Sequence, residues 1–287
     1  MEHVSQAMKK HQAEAALHAV AVPLMSPLPA GIPSRQGAPE QVIAPPRSSP
    51  ILQPLRVFTP EAEGPRITNG YSPVLIAHHD CGHHIAEQYR SVRTHLLSFY
   101  ENKPFTLMLA SAQGGEGKTV TCLNLAFILG RQRGCRTVVV DADLRHGKVA
   151  RLLRQPHPIG LADLLRRDAT LDEIICPTVY PTVSVICAGK CSRGEAGELV
   201  SHPELAETLQ ELQKRNDFVL VDTPPIAPLS DTCTIGQVVG DALLVVRANH
   251  TQQEAVENAV KQLKELSVRT VGIVLTHQRD TRLSLAE

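Results

Sequence analysis

The chain has 287 residues, equal numbers of acidic and basic side chains, and a hydrophobic fraction of 43%. Zero net charge gives no general attraction to nucleic acid, so we expect no nucleic-acid partner. Seven scattered cysteines favour reduced thiols in a cytoplasmic protein over a disulfide framework, and no apolar run reaches the roughly 20 residues that a membrane helix needs.

Proline sets the start of the chain apart, since 12 of the 21 prolines lie in residues 1–80. Proline lacks the amide donor that helices and sheets require and disfavours helix at the residue before it. The sequence therefore predicts a flexible, proline-rich tail over residues 1–80, with a short amphipathic helix over residues 3–20. An α/β domain is predicted over residues 81–280, followed by a short tail over residues 281–287.

Strands and helices alternate in the predicted domain, which opens with a helix over residues 85–99. Strands are predicted at 105–111, 137–143, 179–188, 218–224, 241–248 and 270–276, and helices at 117–132, 197–215 and 251–266. The strands are nearly continuous aliphatic runs, which is typical of strands buried on both faces. The predicted fold class is α/β, with a mainly parallel central sheet flanked by helices.

The segment Ala112–Thr119, "AQGGEGKT", has the spacing of a phosphate-binding loop, and we call it the phosphate loop. Glycines allow backbone amides to turn towards phosphate oxygens, Lys118 can reach the β and γ phosphates, and the Thr119 hydroxyl can bind Mg²⁺. A glycine-rich turn is the alternative, but a strand before the loop and a helix after it favour nucleotide binding. The residues predicted to bind ATP are Gly114, Gly115, Glu116, Gly117, Lys118, Thr119 and Val120.

Two later segments end predicted strands in carboxylates. Asp141 and Asp143 in "VVVDADLR" are predicted to share one side of a strand, where they would repel each other without a cation or a shared proton. A solvated turn is the alternative. Asp222 ends the apolar run of "FVLVDTPP" and is the candidate carboxylate on the magnesium side; a buried strand with a terminal aspartate is the alternative.

Taken in order, these segments resemble the motifs of the bacterial tyrosine kinases, the autokinases of capsule and exopolysaccharide synthesis that are related to MinD and ParA ATPases. "EQYRSVR" (Glu87 to Arg93) is similar to the helix that packs subunits of that family into a ring, and "ELVSHPEL" resembles a segment near its site. The resemblance implies a P-loop NTPase fold, ATP with Mg²⁺, and a homo-oligomeric ring in which Glu87, Arg90 and Arg93 form the interface. It also implies a membrane polysaccharide co-polymerase as partner, with the protein peripheral at the inner face of the plasma membrane.

The resemblance assigns roles to the site residues. Lys118, Asp141, Asp143 and Asp222 are the catalytic candidates, with Asp141 accepting the hydroxyl proton and Asp143 supporting the metal site. Thr119, Asp222 and Asp141 are the candidate magnesium ligands.

The sequence also departs from that family. No tyrosine follows Tyr180, so the usual C-terminal acceptor cluster is missing, and any self-phosphorylation is predicted to fall on Tyr71 in the tail. Thr276 replaces an asparagine on the adenine side. The alternative function is therefore a nucleotide switch of the MinD/ParA type that controls assembly of the co-polymerase without phosphorylating it. Gln113, where such switches carry a lysine, favours the kinase.

Overall fold

The computed structural model describes residues 70–132, 134–155, 159–226 and 231–277. The predicted tail up to residue 69, including the helix predicted at 3–20, and the end of the chain from residue 278 lie outside the described residues. None of the helices in the described ranges is both long and apolar enough to cross a membrane.

The described strands form one seven-stranded sheet in the order β3-β4-β2-β5-β1-β6-β7. They are β1 (Phe105–Ala110), β2 (Thr137–Asp141), β3 (Ile175–Pro177), β4 (Val183–Ile186), β5 (Phe218–Asp222), β6 (Asp241–Arg247) and β7 (Arg269–Thr276). All neighbouring pairs are parallel except β3 with β4 at one edge.

Helices cover both faces of this sheet. They are α1 (Ile76–His79), α2 (His84–Phe99), α3 (Lys118–Gly130), α4 (Val149–Leu152), α5 (Leu161–Leu165), α6 (Leu171–Ile174), α7 (Ala196–Val200), α8 (Glu204–Arg215), α9 (Asp231–Val239) and α10 (Gln253–Glu265). Every residue of β1, β2 and β5 is buried. Alternate residues of β1 enter two apolar clusters, Met108 and Ala110 on one face, Leu107 and Leu109 on the other. The predicted α/β fold with a mainly parallel sheet is confirmed.

Several element boundaries differ from the predicted ones for local reasons. β2 stops at Asp141, because its carboxylate accepts the amide of Asp143 and the chain turns there. The helix predicted over 197–215 is two helices, α7 and α8, with Pro203 at the N-cap of the second. The edge strand β3 and helix α9 were not predicted; β3 has three residues and ends in a proline, which is tolerated at a sheet edge.

Residues 70–79 pack on the domain, so the prediction that they belong to a flexible tail is wrong. Tyr71 is 2% exposed and stacks on Phe127 of α3 with ring centroids 5.9 Å apart. The Ala77 amide donates to Asn124 Oδ1 at 2.8 Å, and Leu75 is fully buried. The segment contains a proline, but Tyr71, Leu75 and Ala77 are buried against the apolar surface of α3. Tyr71 is buried and not an accessible acceptor, which argues against the predicted self-phosphorylation at this residue.

The histidine-rich stretch at the same junction makes local polar contacts. His78 Nδ1 lies 3.0 Å from the Tyr180 hydroxyl, and His79 Nε2 lies 3.1 Å from the Tyr71 carbonyl. His83 is the N-cap of α2, where its ring accepts the Ile85 amide. These side chains fix the entry into α2.

The packing of this segment predicts a stability effect. We expect Tyr71→Ala to lower the free energy of unfolding by about 3 kcal/mol, because it leaves a cavity against Phe127. The matched control is Val74→Ala in the same segment, where the side chain is 46% exposed and the loss should stay below about 0.5 kcal/mol. Denaturant unfolding followed by circular dichroism measures both. Equal, small losses in the two variants would show that Tyr71 is not part of the core.

Candidate functional site

The phosphate loop connects β1 to α3 at the carboxyl edge of the sheet. Gly115 and Gly117 have φ angles of +81° and +94°, a left-handed conformation that favours glycine. Gly117 is the N-cap of α3, so the positive end of a 13-residue helix opens directly into the loop. Gln113, Gly114 and Gly115 are exposed, whereas Lys118 and Thr119 behind them are buried. The loop is therefore an open rim above a buried polar floor.

Lys118 supplies the positive charge of that floor. Its side chain is 7% exposed, and burial lowers its pKa from the ordinary lysine value, while the charges of Asp222 and Asp143 oppose the shift. Among the described residues, no carboxylate lies within ion-pair distance of its ammonium group. The ammonium group is thus free to bind a phosphate.

Thr119 and Asp222 form the pair that best fits a magnesium ion. The Thr119 hydroxyl donates to Asp222 Oδ2 at 2.6 Å, while Asp222 Oδ1 is buried without a hydrogen-bond partner. Burial raises the Asp222 pKa to about 6, against the opposing charge of Lys118. An orphaned carboxylate oxygen beside a hydroxyl suits Mg²⁺, which commonly takes one or two carboxylates and completes its shell with water and phosphate oxygens. No cluster of three or more His, Cys, Asp or Glu side chains that could hold a metal ion occurs in the described ranges.

Asp141 lies beside Asp222, since the two residues are in register on the adjacent strands β2 and β5. It is fully buried, and its two oxygens accept the amides of Asp143 at 3.3 Å and Val149 at 3.0 Å. Burial, and next the charge of Asp222, raise the Asp141 pKa well above its ordinary value. Asp141 is therefore a strong proton acceptor whenever it is ionised.

Asp143 completes the acidic side of the site. Its side chain is 7% exposed, and Oδ1 accepts the His146 amide at 3.1 Å. The fold thus brings Lys118, Thr119, Asp141, Asp143 and Asp222 together at one edge, as the topology of parallel sheets requires.

The remaining predicted loop residues differ in whether the side chain or the backbone could take part in binding. A Cβ added at Gly114 would meet no heavy atom within 4 Å, so space does not require glycine there. The Glu116 side chain turns away from the rim and binds within the protein, which leaves only its main-chain amide for a phosphate. Val120 lies in the first turn of α3, where its carbonyl accepts Asn124 Nδ2 at 2.9 Å.

The predicted interface residues lie on α2 and do not all face solvent. Arg90 donates to the Glu87 carboxylate and to the Cys81 carbonyl, the intrahelical pairing that competes with a contact between subunits. Arg93 turns towards the domain, where Nη1 donates to the Ile128 carbonyl at 3.3 Å. Glu87 is exposed, Arg90 is half-buried, and within the described residues neither binds α3, so these two residues of the set could meet a neighbouring subunit.

Sequence reasoning missed an ion pair that braces the site. Arg145 binds both oxygens of Asp231, at 2.6 and 3.0 Å, and donates to the Arg193 carbonyl at 2.6 Å. Asp231 is 3% exposed at the start of α9. Arg145 stands within "VVVDADLR", but its partner lies 86 residues away, and no local pattern marks that aspartate.

Comparison with known proteins gives consistent relatives. Residues 106–272 match the family model of an AAA domain. A tyrosine-protein kinase CpsD of Streptococcus agalactiae is 30% identical over 191 residues, covering 66% of this chain and 81% of the relative. The kinase domain of Escherichia coli tyrosine kinase ETK aligns with a TM-score of 0.67 and 26% identity, covering 75% of this chain and 85% of that one.

Some relatives are much longer than this chain. A protein of Klebsiella pneumoniae named as a putative tyrosine-protein kinase in the cps region is 32% identical over 203 residues, which is 70% of this chain but 28% of the relative. The chain therefore spans little more than a quarter of that protein.

The raised pKa of Asp222 predicts an unusual pH dependence of stability. The carboxyl titrates near 3.8 when unfolded and near 6 when folded, so the folded state binds more protons between these values. Its contribution to stability is present below the unfolded pKa and is lost as pH rises through about 6. Without nucleotide or metal, we expect the wild type to gain about 1 kcal/mol relative to Asp222→Asn between about pH 7.5 and pH 5. Parallel pH profiles of the two proteins in denaturant unfolding would contradict this.

Proposed function

Because the chain belongs to the family of bacterial tyrosine-protein kinases that carry an AAA domain, we propose that it transfers the γ-phosphoryl group of ATP to a tyrosine hydroxyl. The observation that carries the proposal is the pairing of Thr119 with Asp222 beside an unpartnered carboxylate oxygen and the buried Lys118. In this family context, such a site serves phosphoryl transfer, in which positioning and charge neutralisation supply most of the catalysis.

Each site residue has a task in this proposal. The amides of the phosphate loop and Lys118 bind the phosphates, and Thr119 with Asp222 holds Mg²⁺, which supplies charge neutralisation at the phosphate oxygens. Asp141 accepts the proton of the tyrosine hydroxyl as the tyrosine oxygen attacks the γ phosphorus. The bond to the β-phosphate oxygen breaks and ADP leaves. Asp143 supports the metal side of the site.

The acceptor in this proposal lies on another polypeptide. Tyr71 is buried, and the Tyr100 hydroxyl donates to Asp241 at 2.7 Å. Tyr180 contacts His78, and Tyr89 packs partly buried against the core. Each of the four tyrosines thus has a structural role, which supports transfer to a partner rather than within the fold.

The resemblance to capsule and exopolysaccharide kinases supplies the setting. We infer that the protein regulates polymerisation and export of a polysaccharide, and that it is cytoplasmic and peripheral at the inner face of the plasma membrane through a membrane co-polymerase. A homo-oligomeric ring, with Glu87 and Arg90 at the subunit contact, belongs to the same proposal. The intrahelical pairing of these two side chains would have to open for such a contact to form.

A nucleotide switch of the MinD/ParA type is the second candidate. The engagement of all four tyrosines favours it, because the fold presents no ready acceptor of its own. In that case the same site hydrolyses ATP, water replaces the tyrosine hydroxyl, and the bound nucleotide controls docking on the membrane partner.

Lys118→Met tests the site and separates the two candidates. The charge aimed at the phosphates is lost, so we expect transfer from Mg·ATP to a glutamate–tyrosine copolymer to fall at least about 100-fold. The matched control is Lys103→Met, because Lys103 is exposed and pairs with Glu101 at the surface. Circular dichroism should be unchanged in both variants.

The outcomes of that assay are distinct. Phosphotyrosine on the copolymer, detected by mass spectrometry and lost in Lys118→Met, supports the kinase. Phosphate release without phosphotyrosine assigns the switch, and equal turnover in Lys118→Met and the wild type would refute the site.

The proposed ring predicts a second effect. With Mg·ATP present, we expect Arg90→Ala to shift the protein from oligomer to monomer, since it removes the half-buried cation of the proposed subunit contact. Arg93 is left intact because it packs against α3. Lys261→Ala on α10, an exposed member of a helix-surface pair, is the control. Light scattering decides, and a wild type that stays monomeric with Mg·ATP would refute the ring.

A further inference from the structure

We propose that Thr251 and Thr276 are positioning residues that set the shape of the phosphate loop through hydrogen bonds to Glu116. We call these two residues the threonine clasp. The inference rests on the proposed binding of nucleotide at this loop, but it does not depend on which molecule accepts the phosphate.

Glu116 is the buried member of an otherwise exposed stretch. It is 0% exposed, although Gln113, Gly114 and Gly115 just before it are exposed. Its Oε2 accepts the Gln113 amide at 2.9 Å, which closes the loop on itself. Its Oε1 accepts the hydroxyl of Thr251, which comes from a different part of the chain. Glu116 is therefore one point at which the loop is attached to the rest of the fold.

Thr251 reaches this carboxylate from a fixed position. It lies between β6 and α10, and its amide donates to the Arg247 carbonyl at the end of β6 at 3.1 Å. The next residue, Gln252, is the N-cap of α10. Because its amide is bound to the end of β6 and the N-cap of α10 follows directly, the Thr251 hydroxyl is anchored where it meets the buried charge.

Thr276 binds the main chain of the same residue. Its hydroxyl donates to the Glu116 carbonyl at 2.7 Å, and its methyl group would lie 3.4 Å from a Cβ added at Gly117. Thr276 ends β7 and pairs with Arg247 of β6. Thr276 thus binds the backbone of Glu116 from the end of β7, and Thr251 binds its side chain from the turn that follows β6.

The clasp lies where the loop most needs support. Glu116 is flanked by Gly115 and Gly117, both left-handed, and glycine loses more backbone entropy on ordering than any other residue. Donors held from outside the loop fix these turns before a nucleotide arrives, and such preorganisation strengthens binding. Without Thr251, one oxygen of a buried carboxylate loses its partner, and an unpaired buried acceptor is costly enough to change the loop. The affinity for nucleotide should therefore depend on the Thr251 hydroxyl, through its hydrogen bond to the Glu116 carboxylate.

Valine substitutions isolate the two hydroxyls, because valine keeps the branched shape. We expect Thr251→Val to weaken binding of Mg·ADP about ten-fold and Thr276→Val to weaken it less, about three-fold, since only a neutral carbonyl loses a donor there. Thr251→Ser restores the hydroxyl and should bind within about two-fold of the wild type. Thr182→Val is the matched control, because its hydroxyl also donates to a main-chain carbonyl, that of Gly130, at the opposite end of α3. Isothermal titration calorimetry gives the affinities, and thermal unfolding without nucleotide reports stability.

The outcomes separate this inference from the proposed function. If the wild type binds Mg·ADP and Thr251→Val binds it equally well, the clasp is refuted while the nucleotide site stands. If Thr251→Ser binds as weakly as Thr251→Val, shape rather than the hydroxyl is responsible and the inference is also refuted. If the wild type binds no nucleotide, both fail. Should Thr251→Val not fold, Glu116→Gln replaces it. The glutamine side chain has one oxygen and one NH₂ group, so it can accept only one of the two hydrogen bonds that the carboxylate accepts, and its NH₂ group would face the other donor. Unchanged affinity for Mg·ADP in Glu116→Gln would overturn the clasp.

Discussion

Two aspartates buried side by side are the constraint on which the site depends. Asp141 and Asp222 end the neighbouring strands β2 and β5 in direct register, and neither is more than 1% exposed. Two carboxylates in this arrangement cannot both be ionised without a compensating positive charge. Lys118, the N-terminus of α3 and a bound cation are the available sources of that charge. The paired carboxylates therefore favour binding of a cation, and a magnesium–nucleotide complex would supply one.

The surrounding structure holds the residues of the site in position. The phosphate loop is tied through Glu116 to the end of β7 and to the turn after β6, and the turn after β2 is tied to α9 through Arg145 and Asp231. Both ties join segments far apart in the chain at the same edge of the sheet. A parallel sheet gathers its strand ends there, so the ties add rigidity to a geometry that the topology already provides. Loss of a tie should therefore affect ligand binding before it affects the fold.

The sequence predicted those features that depend on local pattern. Continuous aliphatic runs predicted six of the seven strands of the described sheet, and the spacing of glycines, lysine and threonine predicted the loop between β1 and the start of α3. Asp141 and Asp222 were found because each follows such a run. The features that were missed depend on distant partners. Asp231 meets Arg145 across 86 residues, Thr251 meets Glu116 across 135, and Tyr71 is buried only because α3 offers an apolar surface. None of these has a periodicity or spacing that could reveal it.

The tyrosines show how the fold limits the chemistry open to the chain. A tyrosine acceptor must bring its hydroxyl to the γ phosphate, which means leaving its present contacts. For Tyr71 this would remove the stacking on Phe127 and expose Val179's amide, which now donates to the Tyr71 hydroxyl at 3.2 Å. Extracting a buried aromatic side chain costs about 3 kcal/mol or more, which lowers the reactive population over 100-fold. A tyrosine in an extended segment of another protein carries no such cost, and the site would therefore select a partner's tyrosine over those in its own fold.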